Sequence, residues 1–404
     1  MSDAPAVLLS NAVRHYSWGS RTVLPALLGE PVPADEPWAE IWMGAHPLEP
    51  SHLPDGRSLA EVAPRLPFMV KLLAAEEPLS VQAHPNRTQA RTGFAAEEAR
   101  GVPLAAGHRS YKDANHKPEL FVALEPTETL CGFRPPADIA ATAQRLGSAA
   151  LSELVGPASA GGDPGEALRM IFSRLLGLGG GSRTALLDEV TRACARVAAD
   201  HDSDSAPDTH TDTAAPDRSA AQWVVRLADR YPGDTGALAP LLLDHVVLEP
   251  GDAMFVDAGV LHAYLHGAGV EVQASSDNVL RGGLTGKHVD VPALLSVVRF
   301  EVASGHRVAP VPCGPGLDTY AVPVGDFAVW RARPDGSGVQ VPVEGACIAV
   351  CVAGAVVLGG VSLAPGRSAY VPVGSPLVVG GTGTCFVTAA AEEAETLDGT
   401  VDGA

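Results

Sequence analysis

The stretch Leu248-Glu249-Pro250-Gly251-Asp252-Ala253-Met254-Phe255-Val256-Asp257-Ala258-Gly259 is echoed by Leu363-Ala364-Pro365-Gly366-Arg367-Ser368-Ala369-Tyr370-Val371-Pro372-Val373-Gly374. Each copy reads as a Pro-Gly turn, a short apolar strand and a second glycine turn, which is how jelly-roll barrels chain their strands. The repeat predicts two related barrels. At the same offset His262 of the first copy falls on Leu377 of the second, so the second barrel is expected to lack a metal ligand there. Shared turn chemistry can also produce such an echo.

The rest of the chain fits this frame. Its 404 residues exceed what one hydrophobic core usually organises, and 43 glycines and 34 prolines with few aromatics imply many short elements joined by tight turns. Asn11 to Pro136 reads as strands and turns with one helix near Arg87–Arg100. From Ala137 to about Leu243, Ala, Leu, Arg and Glu recur at helical spacing, as in Leu186-Leu187-Asp188-Glu189-Val190. Strand-and-turn texture then returns and persists to the C-terminus. The expected fold is therefore mainly β, with two cupin or jelly-roll barrels and an inserted α-helical domain. The expected division is 1–137 plus 244–305, 138–243 and 306–404.

Two stretches call for separate readings. Asp200 to Ala220 is a run of Asp, Ser, Thr, Ala and Pro without apolar periodicity, predicting a solvated loop without catalytic duty. Ala346 to Ala364 is uncharged and nearly long enough to span a bilayer, but it is interrupted by glycines and rich in valine. Two buried strands meeting around Ala353-Gly354 are expected instead.

A formal net charge of -19 argues against nucleic acid as a partner, so an anionic ligand must meet a local basic cluster. The six cysteines are dispersed without CxxC pairs, predicting reduced and mostly buried thiols. The start of the chain lacks the pattern of a secretory signal. A cytoplasmic monomer with no membrane association is expected.

Candidate chemistry lies in four places. Ser80, Gln82 and His84 alternate with Val81 and Ala83, so a strand would point all three to one face; a solvent-facing strand would look the same. Lys117 and Glu119 share this spacing around Pro118, which limits them to an edge or a strand end. His262 follows a glycine turn and would share a face with Tyr264. Zinc accepts imidazole nitrogen together with carboxylate or amide oxygen, and Gln82, His84, Glu119 and His262 make such a set. Finally, Arg281 and Lys287 sit in a glycine-rich loop suited to a phosphate or a developing oxyanion.

Several motifs occur in order: Tyr16-Ser17-Trp18-Gly19, Ser80-Val81-Gln82-Ala83-His84-Pro85, His116-Lys117-Pro118-Glu119, and Gly259-Val260-Leu261-His262-Ala263-Tyr264 leading into Asn278-Val279-Leu280-Arg281-Gly282-Gly283-Leu284-Thr285. Together they closely resemble type I mannose-6-phosphate isomerase, over roughly Asn11 to Phe300 outside the helical insert and more weakly beyond. The resemblance implies one zinc ion per chain on Gln82, His84, Glu119 and His262, and a phosphorylated hexose as substrate. It also implies Arg281 beside the reacting carbons, with Ser80, Lys71, Lys117, Tyr264, Glu271, Asp277 and Lys287 around them.

Aldose-ketose isomerisation through an enediol needs a base, and a carboxylate in a partly dry pocket has its pKa raised towards neutrality. Glu271 is the leading candidate, with Lys117 and His116 as competitors. Ser80 and Lys287 are assigned to the phosphate. Two other classes would use a similar scaffold. An iron-dependent cupin oxygenase favours a histidine-rich set without Gln82, and a non-catalytic sugar-binding barrel would have no turnover to lose.

Overall fold

The computed structural model describes residues 6–156, 162–199, 215–303, 306–374 and 377–391. Their strands form two sheets. In the eleven-stranded sheet, pairing runs from Arg307–Val308 through Ala253–Val256, Glu119–Ala123, His262–Ala274, Phe68–Ala75 and Glu40–Met43 to Ala12–Arg14. The first half of His262–Ala274 also pairs with Val81–Ala83 and Thr127–Phe133. The nine-stranded sheet is built around Cys347–Leu358 and Leu377–Ala389. Among the described strands no ring of pairings closes, so both sheets are open.

Alternation decides what each face of the larger sheet carries. Val70, Leu72, Leu120, Val122, Val270 and Val272 turn to one side, into an apolar core shared with Ile348, Val350 and Phe386 of the smaller sheet. Residues between them face the other way, and there Glu271 lies directly opposite Lys71 while Gln273 lies opposite Glu119. One face is thus a dry contact between sheets and the other a polar surface.

The repeat in the sequence is a repeat in the strands. Ala253–Val256 and His262–Ala274 match Ser368–Val371 and Leu377–Ala389, displaced by the same 115 residues at both ends of each strand. The glycines of the flanking turns agree as well, with positive φ at Gly251 and Gly259 and at Gly366 and Gly374.

Among the described residues, six α-helices and one short 3-10 helix separate two strands that pair with each other, Thr127–Phe133 and Leu243–Leu248. Their apolar faces share a core with Val81, Leu130, Leu261 and Leu280 of the sheet, so they pack onto it. The helix expected near Arg87 runs from Arg87 to Ala99, capped by a reciprocal Asn86–Gln89 pair. A short helix not expected from the sequence, Val291–Val297, starts at the Asp290 cap.

Two expectations are corrected here. Ala215–Arg230 is a helix, so the last residues of the expected loop are helical; Asp200–Ala214 lies outside the described residues. Trp223, Val224 and Leu227 bury that helix's far turns, which overrides the poor pattern at its start. The stretch Ala346–Ala364 does not break at Ala353-Gly354. One strand, Cys347–Leu358, passes through a bulge there, and the turn falls at Gly359-Gly360. The first described strand, Val7–Leu9, pairs with Ser368–Val371 in the smaller sheet.

Candidate active site

The residues singled out in the sequence meet on the polar face of the larger sheet. Val81–Ala83 ends as a strand just before His84-Pro85, where Asn86 caps the next helix, and this fixes His84 at a strand end. Glu119 and His262 are each the first residue of a strand, so Pro118 occupies the entrance where its missing N–H costs nothing. Gly259, in the left-handed region, donates its N–H to the His84 carbonyl at 2.8 Å and ties the two histidine segments together. A side chain there would meet the Val297 carbonyl at 2.8 Å.

The local charges fit a cation. His84 and His262 are fully buried. Their Nδ1 atoms lie 2.6 Å from the Asn278 carbonyl and 3.0 Å from the Val260 carbonyl. A carbonyl only accepts, so each Nδ1 carries the proton and each Nε2 presents a lone pair. Those Nε2 atoms face Glu119, at 3.3 Å from Oε1 for His84 and 3.5 Å from Oε2 for His262. Gln82 completes the group, its amide 3.4 Å from His262 Nε2.

His84 Nε2 and Glu119 Oε2 are buried and make no hydrogen bond. Acceptors aimed at acceptors repel unless a cation lies between them. Donors bound to one tetrahedral zinc ion sit about 3.3 Å apart, given zinc-ligand distances of about 2.0–2.1 Å. Ligand atoms of His84, Glu119 and His262 lie within 4.8 Å of one another. Burial, with Lys117 adding to it, lowers the His84 pKa to about 4, so its imidazole is neutral and free to ligate. Burial raises the Glu119 pKa, but Lys117, at 2.7 Å, and the histidines outweigh it and keep the carboxylate charged.

Gln82 and Glu119 open onto a cleft of about 510 Å³. Lys71 and Glu271 line it as a buried pair 2.8 Å apart, with Glu40 3.5 Å from the same ammonium. Burial raises the Glu271 carboxyl above its usual range against the pull of Lys71. Burial alone would discharge Lys71, yet Glu271 and Glu40 hold it charged.

At another part of the cleft wall stand Arg281 and Lys287, neither within 4.0 Å of a carboxylate among the described residues. Burial lowers both pKa values, and Arg281 adds to the effect on Lys287. Ser80 and Tyr264 also line the cleft, and the buried Tyr264 hydroxyl makes no hydrogen bond. Asp277 lines it too, held 2.9 Å from His46.

His116, a competitor for the base, is not among the residues that line the cleft; its Nε2 lies 2.8 Å from Asp326 and 2.7 Å from Arg87. Sequence reasoning missed Glu40, Trp42 and Gln273, which line the cleft. Gln273 shares the alternation of Glu271 and was legible on that ground, whereas Glu40 and Trp42 sit on a four-residue strand without a motif. Arg230 and Tyr231, at the end of the helical segment, line the cleft as well.

Comparison with known proteins agrees with this geometry. A profile described as "Phosphomannose isomerase type I, catalytic domain" matches residues 7–136. The chain is 36% identical to mannose-6-phosphate isomerase of Escherichia coli (strain K12), over 93% of this chain and 97% of the relative. It is 31% identical to the Homo sapiens protein of that name, over 88% and 89%. A crystal structure of mannose 6-phosphate isomerase from Salmonella typhimurium, bound to fructose 6-phosphate and zinc, has a TM-score of 0.83 and 35% identity, covering 96% of this chain and all of that one. Similarity over nearly the whole length, joined to a buried set of zinc-type ligands beside a cleft that holds Arg281 and Lys287, places the chain in the type I mannose-6-phosphate isomerase family.

Proposed function

We propose that Gln82, His84, Glu119 and His262 hold one zinc ion with which this isomerase interconverts D-mannose 6-phosphate and D-fructose 6-phosphate. The observation that carries this reading is the convergence of buried lone pairs on Glu119, next to a cleft in which Arg281 and Lys287 pair with no carboxylate among the described residues. Zinc, when bound, polarises the sugar's carbonyl and hydroxyl oxygens.

The chain's own residues do the rest. Glu271, raised by burial, takes the proton from carbon 2 of the open-chain aldose, and the electron pair left behind forms the enediol as the aldehyde oxygen gains a proton. Returning a proton to carbon 1 while the oxygen on carbon 2 loses its own gives the ketose. Lys71 holds the Glu271 carboxylate in place, and Arg281 stabilises charge on the sugar oxygens. Lys287 and Ser80 take the phosphate, Tyr264 and Asp277 border the sugar, and Lys117 keeps Glu119 ionised.

The constant 115-residue displacement supports reading the two sheets as copies of one cupin-like jelly-roll unit. On that reading the catalytic unit comprises 10–137 plus 244–308, since Arg307–Val308 pairs within its sheet, the helical insert 138–243, and the second unit the described residues from 309 to 391 with the strand Val7–Leu9 added. All proposed ligands lie on one chain, which suits a monomer. The six cysteines are free and five are buried, which suits the cytoplasm.

The test is a coupled assay of mannose 6-phosphate turnover before chelation, after it, and with zinc restored. Activity lost and then recovered is the expected result. A folded, zinc-loaded protein without turnover would leave a sugar-binding role in place of catalysis.

A further inference from the structure

Asp326 belongs to the unit without ligands, yet its carboxylate contacts two residues of the unit that carries them. Its carboxylate lies 2.8 Å from His116 Nε2 and 3.2 Å from Arg87 Nη2. Both contacts are close in sequence to proposed ligands. Arg87 follows His84 by three residues at the first turn of its helix, and His116 precedes Glu119 by three, with Lys117 between. One carboxylate thus grips the two segments that deliver His84 and Glu119.

The grip has a firm base. Asp326 is itself 9% exposed. Its neighbour Phe327 is buried in the core shared by the two sheets, and Val324 packs against the same core. Core contacts two residues before and one residue after Asp326 thus anchor the segment that carries the carboxylate.

We infer that Asp326 is a positioning residue for the metal-ligand set, acting through Arg87 and His116, and that this is a task of the second unit. The inference rests on the zinc reading above. Outer contacts that orient ligands typically contribute 10- to 100-fold in metal affinity or activity. Because Asp326 acts through neighbours of the ligands, the lower end is expected.

The test compares zinc affinity, by chelator competition, and kcat at saturating zinc for the full-length chain and four variants. Asp326→Ala should weaken zinc binding about tenfold and lower kcat. His116→Ala should do part of the same, and the double variant should be no worse than Asp326→Ala, since both interrupt one linkage. Tyr320→Phe serves as the control. It removes another bond between the units, from the Tyr320 hydroxyl to the Gly251 carbonyl, and should leave zinc affinity and kcat unchanged.

Wild-type zinc affinity in Asp326→Ala overturns the inference. So does an equal loss in Tyr320→Phe, which would reveal general loosening of the contact. A wild-type chain that binds zinc without isomerising would defeat the proposed activity, while the zinc measurements would still decide the role of Asp326.

Discussion

The two sheets use one strand plan to opposite ends. Where His262 pairs with Gln82 in the larger sheet, Leu377 pairs with Val341 in the smaller. Where Glu119 opens the strand beside Val256 and Gln273, Cys347 and Ile348 lie beside Val371, Tyr370 and the end of Leu377–Ala389. The matching interior of the smaller sheet is filled by Val341, Cys347, Leu377 and Val379, all buried and apolar. The backbone therefore offers inward positions, and the side chains decide whether they become a core or a site. A polar interior survives only when each buried charge has a partner, as Lys71 has Glu271 and Glu119 has Lys117.

The largest expected effect comes from giving the first sheet the residue of the second. His262→Leu should abolish both turnover and stoichiometric zinc, read by the coupled assay and by metal analysis, while the chain still folds. Retained zinc would break the comparison by showing that His262 and Leu377 are not the positions that set the two sheets apart.

Glu271→Gln sharpens it within the polar face. Loss of the base should lower kcat by on the order of 10²- to 10⁴-fold with a smaller change in KM. In the unaltered chain kcat/KM should fall as pH drops and the carboxylate protonates. Because burial raises the Glu271 pKa, this acid limb should lie above the usual carboxylate range. An unchanged kcat in Glu271→Gln would move the base to Lys117.

The smallest effect is the reverse exchange. Leu377→His places an imidazole in an apolar core without partners, and should cost about 1–3 kcal/mol of stability, measured by denaturant unfolding. It should leave zinc affinity at the first site untouched. Gain of a second bound zinc would mean that the smaller sheet keeps a latent site.

Much of this contrast was legible in the sequence because it is local. Alternation around Gln82 and His84, the Lys117-Pro118-Glu119 step and the offset between the copies each need only a few residues to read. What stayed hidden depends on distant partners. His116 turns to Asp326, 210 positions away, and not to its neighbours Lys117 and Glu119. Trp42 and Glu40 enter the cleft because their short strand pairs with Phe68–Ala75. The break expected at Ala353-Gly354 failed because the ladder continues on both sides of a bulge between Cys351 and Ala353, and Gly354, still paired with Gly383, takes φ of 69° at no steric cost. The helix Ala215–Arg230 was hidden because its opening sequence lacks apolar periodicity, while Trp223, Val224 and Leu227 further along are buried.

The strand Val7–Leu9 has a consequence for how the chain is made. It pairs with Ser368–Val371, and Asn11 donates to the Ser368 hydroxyl across 357 positions. During synthesis that first strand emerges long before its partner exists, so this edge of the smaller sheet can be finished only after almost the whole polypeptide has been released. Until then Val7–Leu9 waits without its ladder partner, and a fusion or truncation that displaces residues 7–9 leaves the Ser368–Val371 edge available to another chain.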